Sequence, residues 1–152
     1  MNYPIDKENI SLSALFSIYL KTQNNHYKHI IKNDNITLLQ IPILLKLLNH
    51  EYIYQKEISK ALLLDNALLT RYLRKLEDCN YILRIEDNEN RRQNKIKLTP
   101  KGYKIAQKLR NEGIKREEEL FKNINISRGE FINNTLDLIE ESNKYNEEKL
   151  GN

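Results

Sequence analysis

A mainly α-helical chain carrying one small β-hairpin is the fold class the sequence predicts, and three observations predict it. Four glycines and three prolines in 152 residues are too few for the many tight turns of a sandwich or barrel. Long stretches rich in Leu, Ile, Lys and Glu carry their apolar residues at helical spacing. Near residue 82 the period changes to short, partly alternating runs, and it returns to helical near residue 100. The length suits one domain. With 39% hydrophobic and 30% charged residues, the chain can bury a core and is not disordered.

Taken in order, a first long helix is expected from about Ile10 to Ile31, with Leu12, Leu15, Ile18, Tyr19 and Tyr27 forming much of its apolar stripe. Lys32 to Asn35 is a polar turn. Thr37-Leu38-Leu39-Gln40 has the form of a capping box and starts a strongly apolar helix reaching about Asn49. Pro42 falls near the first turn of that helix, where a missing N–H costs least. A short third helix is predicted over Gln55–Leu62 with Ile58, Ala61 and Leu62 inward. A fourth, capped by Asp65 or Asn66, runs to about Cys79, and Asn80 stands where a left-handed residue is wanted. Ile82–Glu86 and Lys95–Leu98 make the hairpin, joined by the polar segment Asp87 to Asn94. Thr99 caps and Pro100 opens a helix extending to Phe121 or beyond. A last helix from about Arg128 to Lys149 carries Phe131, Leu136, Leu138 and Ile139.

Charge narrows the function. Twenty-five basic residues face 21 acidic ones, a net of +4. The excess is local: residues 54–104 hold 12 basic against 7 acidic side chains, whereas residues 105–152 hold 8 against 10. A basic middle third suits a module that meets a polyanion. One cysteine, Cys79, excludes an internal disulfide framework. Its place at a helix C-terminus does not favour a thiolate. His26 and His29 lie three apart on the first helix but lack a third ligand nearby, so no metal site is expected. Tyr19 and Tyr27 read as core or interface residues. No basic segment followed by an apolar run opens the chain, and the apolar stretch Leu38–Leu48 is too short to span a bilayer. A cytoplasmic protein with no membrane partner is therefore expected. Neither a Gly-rich phosphate loop, a nucleophile elbow nor a His-Glu metal helix occurs, so no catalytic residue, cofactor or enzyme activity is predicted.

Three helices followed by a two-stranded hairpin is the order of a winged helix-turn-helix. On the fourth helix Leu73 and Leu76 return within about 40° of Leu69. The opposite side collects Ala67, Thr70, Arg71, Arg74 and Lys75. Such a helix fits a major groove, where Arg reaches guanine edges or phosphates and Asn or Thr reaches bases. Arg91 and Arg92 occupy the hairpin loop, and an arginine there can enter a narrow, electronegative minor groove. Together these features point to double-stranded DNA as partner. A second reading keeps the fold but assigns it to protein association or to sequence-independent DNA architecture without ligand response.

Gln55-Lys56-Glu57-Ile58-Ser59, Leu69 to Glu77, Asp87 to Arg92 and Lys97-Leu98-Thr99-Pro100-Lys101-Gly102 resemble the MarR family of transcriptional regulators. That resemblance implies a single MarR-like domain, with residues 36–104 as the winged DNA-binding region. Residues 1–35 and 105–152 would be a helical dimerisation region. It implies a homodimeric, sequence-specific regulator, with repression expected, on a pseudo-palindromic site and often under the control of small phenolic or aromatic effectors. Carried over by position, Asn66, Thr70, Arg71 and Arg74 would face the major groove and Arg92 the minor groove. Ala67 and Lys75 flank the first set, and Asn90 and Arg91 the second. Four positions depart from the family pattern: Asn90 for Asp, Ala67-Leu68 for Ser-Thr, Tyr54 for the capping Thr of the third helix, and Asn80 for Gly.

Overall fold

The computed structural model describes residue 6, residues 8–87 and residues 94–151. The elements follow in the order α1 (Leu12–Ile30), α2 (Ile41–Leu47), β1 (Ile53–Tyr54), α3 (Gln55–Leu62), α4 (Asn66–Asp78), β2 (Ile82–Glu86), β3 (Asn94–Leu98), α5 (Pro100–Phe121) and α6 (Arg128–Leu150). This is the predicted mainly helical chain with a small antiparallel sheet. By contacts it divides into two compact units, Met1–Leu109 and Arg110–Asn152.

In the first unit, Ser11 caps α1 by accepting from the Ala14 N–H. No residue of α1 is buried: Leu12, Leu15 and Tyr19 of the predicted stripe stay exposed, while Tyr27 packs against the core. The helix expected after Thr37 is split. A 3-10 turn at Leu38–Gln40 precedes α2, which places Pro42 in the first turn of α2, where it displaces no hydrogen bond. The capping box is present as expected, and in it Gln40 Oε1 accepts from both the Thr37 N–H (2.8 Å) and the Thr37 hydroxyl (3.0 Å).

Helix α3 has the predicted bounds, with Ile58 fully buried and Leu62 half-buried. Ala61, about 60° round the helix from Ile58, stays exposed, contrary to expectation. An eight-residue helix touches the core along a narrow line, and so small a side chain at its rim is not covered. The core gathers Ile43, Leu44 and Leu47 of α2, Ile58, Leu69, Leu73 and Leu76 of α4, Ile82, Ile96 and Leu109, each with no exposed surface.

The sheet order is β1-β3-β2. Ile82 to Glu86 pair antiparallel with Leu98 to Asn94, and Ile53 and Tyr54 pair with Ile96 and Lys95. The two-residue strand β1 is an element that the sequence did not announce, being too short to show alternation.

The junction into α5 is tightly specified. Asn80 takes the left-handed conformation (φ 58°). The Tyr81 N–H reaches Leu76 O and the Asn80 N–H reaches Glu77 O, closing the end of α4. The Thr99 hydroxyl donates to Asn80 O (2.7 Å) and accepts from the Gly102 N–H (2.9 Å). A Cβ at Gly102 would stand 1.8 Å from Tyr81 O, so only glycine fits there.

The second unit holds the rest of α5 and α6. Ser127 caps α6 by accepting from the Glu130 N–H, and Glu130 Oε2 accepts from the Ser127 N–H. Phe121 and Phe131 pack with ring centroids 5.6 Å apart, and Arg128 pairs with Glu117. No residue of α6 is buried, its Phe131, Leu136, Leu138 and Ile139 included. Among the described residues, no helix is long and apolar enough to cross a membrane.

Candidate nucleic-acid interface

Helix α4 is the scaffold of the interface. Asp65 Oδ1 accepts from the Leu68 N–H (2.8 Å), fixing where the helix starts. The preceding turn is held by Leu63 in a left-handed conformation (φ 50°). In the same turn the Ser59 hydroxyl donates to Leu64 O. Leu69, Leu73 and Leu76 lock one side into the core with no exposed surface. Burying three leucines contributes roughly 1.5–3 kcal/mol each, so the opposite side is fixed in orientation. Asn66, Ala67, Thr70, Arg71, Arg74 and Lys75 all lie exposed on the part of α4 that the core leaves open.

Several side chains hold this helix through contacts that sequence reading did not show. Gln40, fully buried, donates from Nε2 to Tyr72 O (3.1 Å), tying the start of α2 to the middle of α4. Gln55 Nε2 donates to the Thr70 hydroxyl (2.9 Å). Arg84 of β2 donates to Thr70 O (3.2 Å) and pairs with Glu77 (3.1 Å). The Arg71 guanidinium lies 5.8 Å from the centroid of the Tyr72 ring. The ties of Gln40 to Tyr72, Gln55 to Thr70 and Arg84 to Thr70 join residues 14 or more positions apart, and local pattern does not reveal them.

At the root of the hairpin, Tyr54 donates from its hydroxyl to Asp87 Oδ2 (2.7 Å), and Lys95 Nζ lies 3.2 Å from Asp87 Oδ1. The Tyr52 and Tyr54 rings meet edge to face at 5.7 Å, and Lys95 Nζ lies 4.9 Å from the Tyr52 centroid. The bond to Asp87, with partial burial, raises the Tyr54 phenol above its ordinary range. The same carboxylate raises Lys95. Tyr54 still opens α3, because the Glu57 side chain accepts from its backbone N–H (2.9 Å). The predicted hairpin residues Asn90, Arg91 and Arg92 lie outside the described residues. Beside the root, Lys46, His50, Tyr52, Ile53, Tyr54 and Glu57 line an open cleft of about 360 Å³. Among the described residues, no cluster of three or more His, Cys, Asp or Glu side chains is arranged to hold a metal. Cys79 is a free, half-buried thiol.

Comparison with known proteins finds the same fold. The model of the MarR family matches residues 36–93. The chain is 28% identical over 141 residues to the HTH-type transcriptional regulator SarZ of Staphylococcus aureus, covering 91% of this chain and 93% of that protein. Among solved structures, the crystal structure of a MarR protein superposes with a TM-score of 0.77 at 27% identity, covering 96% of this chain and 99% of that one. The S. aureus MepR chain, solved as a DNA complex, shares the fold with a TM-score of 0.76 at 24% identity, covering 88% and 99%.

Proposed function

Since the chain belongs to the MarR family of winged-helix transcriptional regulators, we propose that it is a homodimeric repressor that grips a pseudo-palindromic DNA site through α4 and the hairpin. As a member of that family it is a DNA-binding regulator rather than an enzyme. The observation that carries the finer reading is the exposed face of α4, which presents Asn66, Thr70, Arg71, Arg74 and Lys75 and is backed by three fully buried leucines.

In this reading Asn66, Thr70, Arg71 and Arg74 meet base edges and phosphates in the major groove, Ala67 offers a methyl contact, and Lys75 neutralises phosphate. Arg92, flanked by Asn90 and Arg91, reaches the adjacent minor groove. Dimerisation is supported by the apolar side chains that α1 and α6 leave exposed, among them Leu12, Phe16 and Leu20 on the one and Phe131, Leu136 and Ile139 on the other. Two-fold symmetry then sets two α4 helices about 34 Å apart, one turn of duplex. A small phenolic or aromatic effector acts by favouring a dimer with another spacing, to the extent of its differential affinity for the two shapes. The cleft beside Tyr52 and Tyr54 falls within the size range of small-ligand sites.

The test is a fluorescence-anisotropy titration with a duplex from the promoter of the protein's own gene and with the same bases scrambled. The native duplex should bind more tightly by about a thousandfold. Arg74→Ala should lose about ten-fold on the native duplex and little on the scrambled one. Equal affinity for both duplexes would replace this reading with sequence-independent DNA architecture.

A further inference from the structure

Tyr54 is joined to three parts of the winged region at once. Its backbone N–H is held by Glu57 at the start of α3. In the sheet it pairs with Lys95 of β3. Its hydroxyl donates to Asp87 Oδ2 at 2.7 Å. Asp87 is the residue immediately before 88–93, and Lys95 follows that segment by two positions. The Asp87 carboxylate therefore bridges both strand ends, with one oxygen on Tyr54 and the other on Lys95. It is only 5% exposed, and a carboxylate so far from water persists only when both oxygens are satisfied. A threonine at position 54 would cap α3 equally well but would fall short of Asp87 by the length of a phenol ring.

We propose that Tyr54, Asp87 and Lys95 form a positioning clamp that fixes the hairpin to the base of α3, so that the share of DNA affinity contributed by the hairpin depends on the Tyr54 hydroxyl. The proposal rests on the DNA-binding reading given above. Tyr54 acts as a positioning residue: its hydroxyl is engaged by Asp87, and it acts on DNA through the hairpin. Edge-to-face packing of Tyr52 on Tyr54, with Lys95 over both rings at 4.9 and 5.8 Å, stiffens the same junction.

Tyr54→Phe removes the hydroxyl and keeps the ring. In the free protein, native-state hydrogen exchange of the β3 amides should quicken about ten-fold, while the amides of Leu73 and Leu76 in α4 keep their wild-type protection. On a duplex recovered from a random pool with the wild-type chain, Tyr54→Phe should weaken binding about five-fold. In an Arg92→Ala background the same change should cost less than about two-fold, because the two act through one element. Unaltered β3 exchange in the free protein would overturn the clamp, whatever DNA does. An equal loss in both backgrounds would overturn its action through the hairpin. Failure of the wild-type chain to retain any duplex would overturn the DNA reading and the clamp's part in it. The exchange measurement would still decide whether the clamp itself exists.

Discussion

At Gly102 the absence of a side chain decides how the winged region ends. The Tyr81 carbonyl oxygen occupies the place where a Cβ would stand, at 1.8 Å, and that oxygen also accepts from the Thr99 N–H. Gly102→Ala must push backbone against backbone, and a loss of about 3 kcal/mol in urea unfolding is expected. The glycine is visible in the sequence as part of a motif. The reason for it is not, because the atom it makes room for belongs to Tyr81, in the turn between α4 and β2. Asn80 is the opposite case: its side-chain type alone predicted a left-handed helix end, and the backbone has that conformation.

Tyr81 itself offers a pH test. Burial first, and then its hydrogen bond to Asp34 (2.9 Å), push its phenol up to about 12 from 10.0. The folded state thus holds this proton more tightly than the unfolded chain does. The resulting stabilisation is complete below about pH 10 and is lost as pH rises towards 12. Urea titrations at about pH 9.5 and 11.5 should therefore show a smaller fall in stability for Tyr81→Phe than for the wild type.

Elements were more legible than their ties. The bounds of α3, the start of α5 and the cap of α4 follow from local signals, namely a Glu three residues after Tyr54, a Thr-Pro pair and an Asp before an apolar repeat. Strand β1 and the 3-10 turn before α2 were not legible, since two or three residues carry no period. Nor was the placing of α4 by Gln40, which depends on a partner 32 residues away. Gln40→Leu would leave the Thr37 N–H and the Tyr72 carbonyl without this partner. It should cost about 2 kcal/mol, measurable by chemical denaturation. Because Gln40 touches the middle of α4, that variant should also weaken DNA binding beyond what its stability loss explains.

For the whole molecule, the apolar residues that the single chain leaves open carry the expectation of a second copy. Leu136 is 57% exposed on α6, so Leu136→Glu removes little from the folding of one chain. Sedimentation should give the wild type twice the chain mass and the variant a mass shifted towards one chain, with DNA affinity falling in step. Helical periodicity at both ends of the sequence showed the stripes, but periodicity does not distinguish a stripe that packs within the chain from one that packs on a partner. The expectation of a dimerisation region came from the family resemblance. The net excess of basic residues in the middle third, by contrast, coincides with the part proposed to meet DNA.

In the proposed dimer, two copies present their α4 faces one turn of duplex apart. Selection of bound sites from a random duplex pool on the wild-type chain, followed by sequencing, tests it most directly. The expected result is a pair of inverted half-sites whose centres lie about 10 base pairs apart, lost when Arg71 and Arg74 are both changed to Ala. Recovery of sequences with no shared half-site, or of a single unrepeated motif, would contradict it.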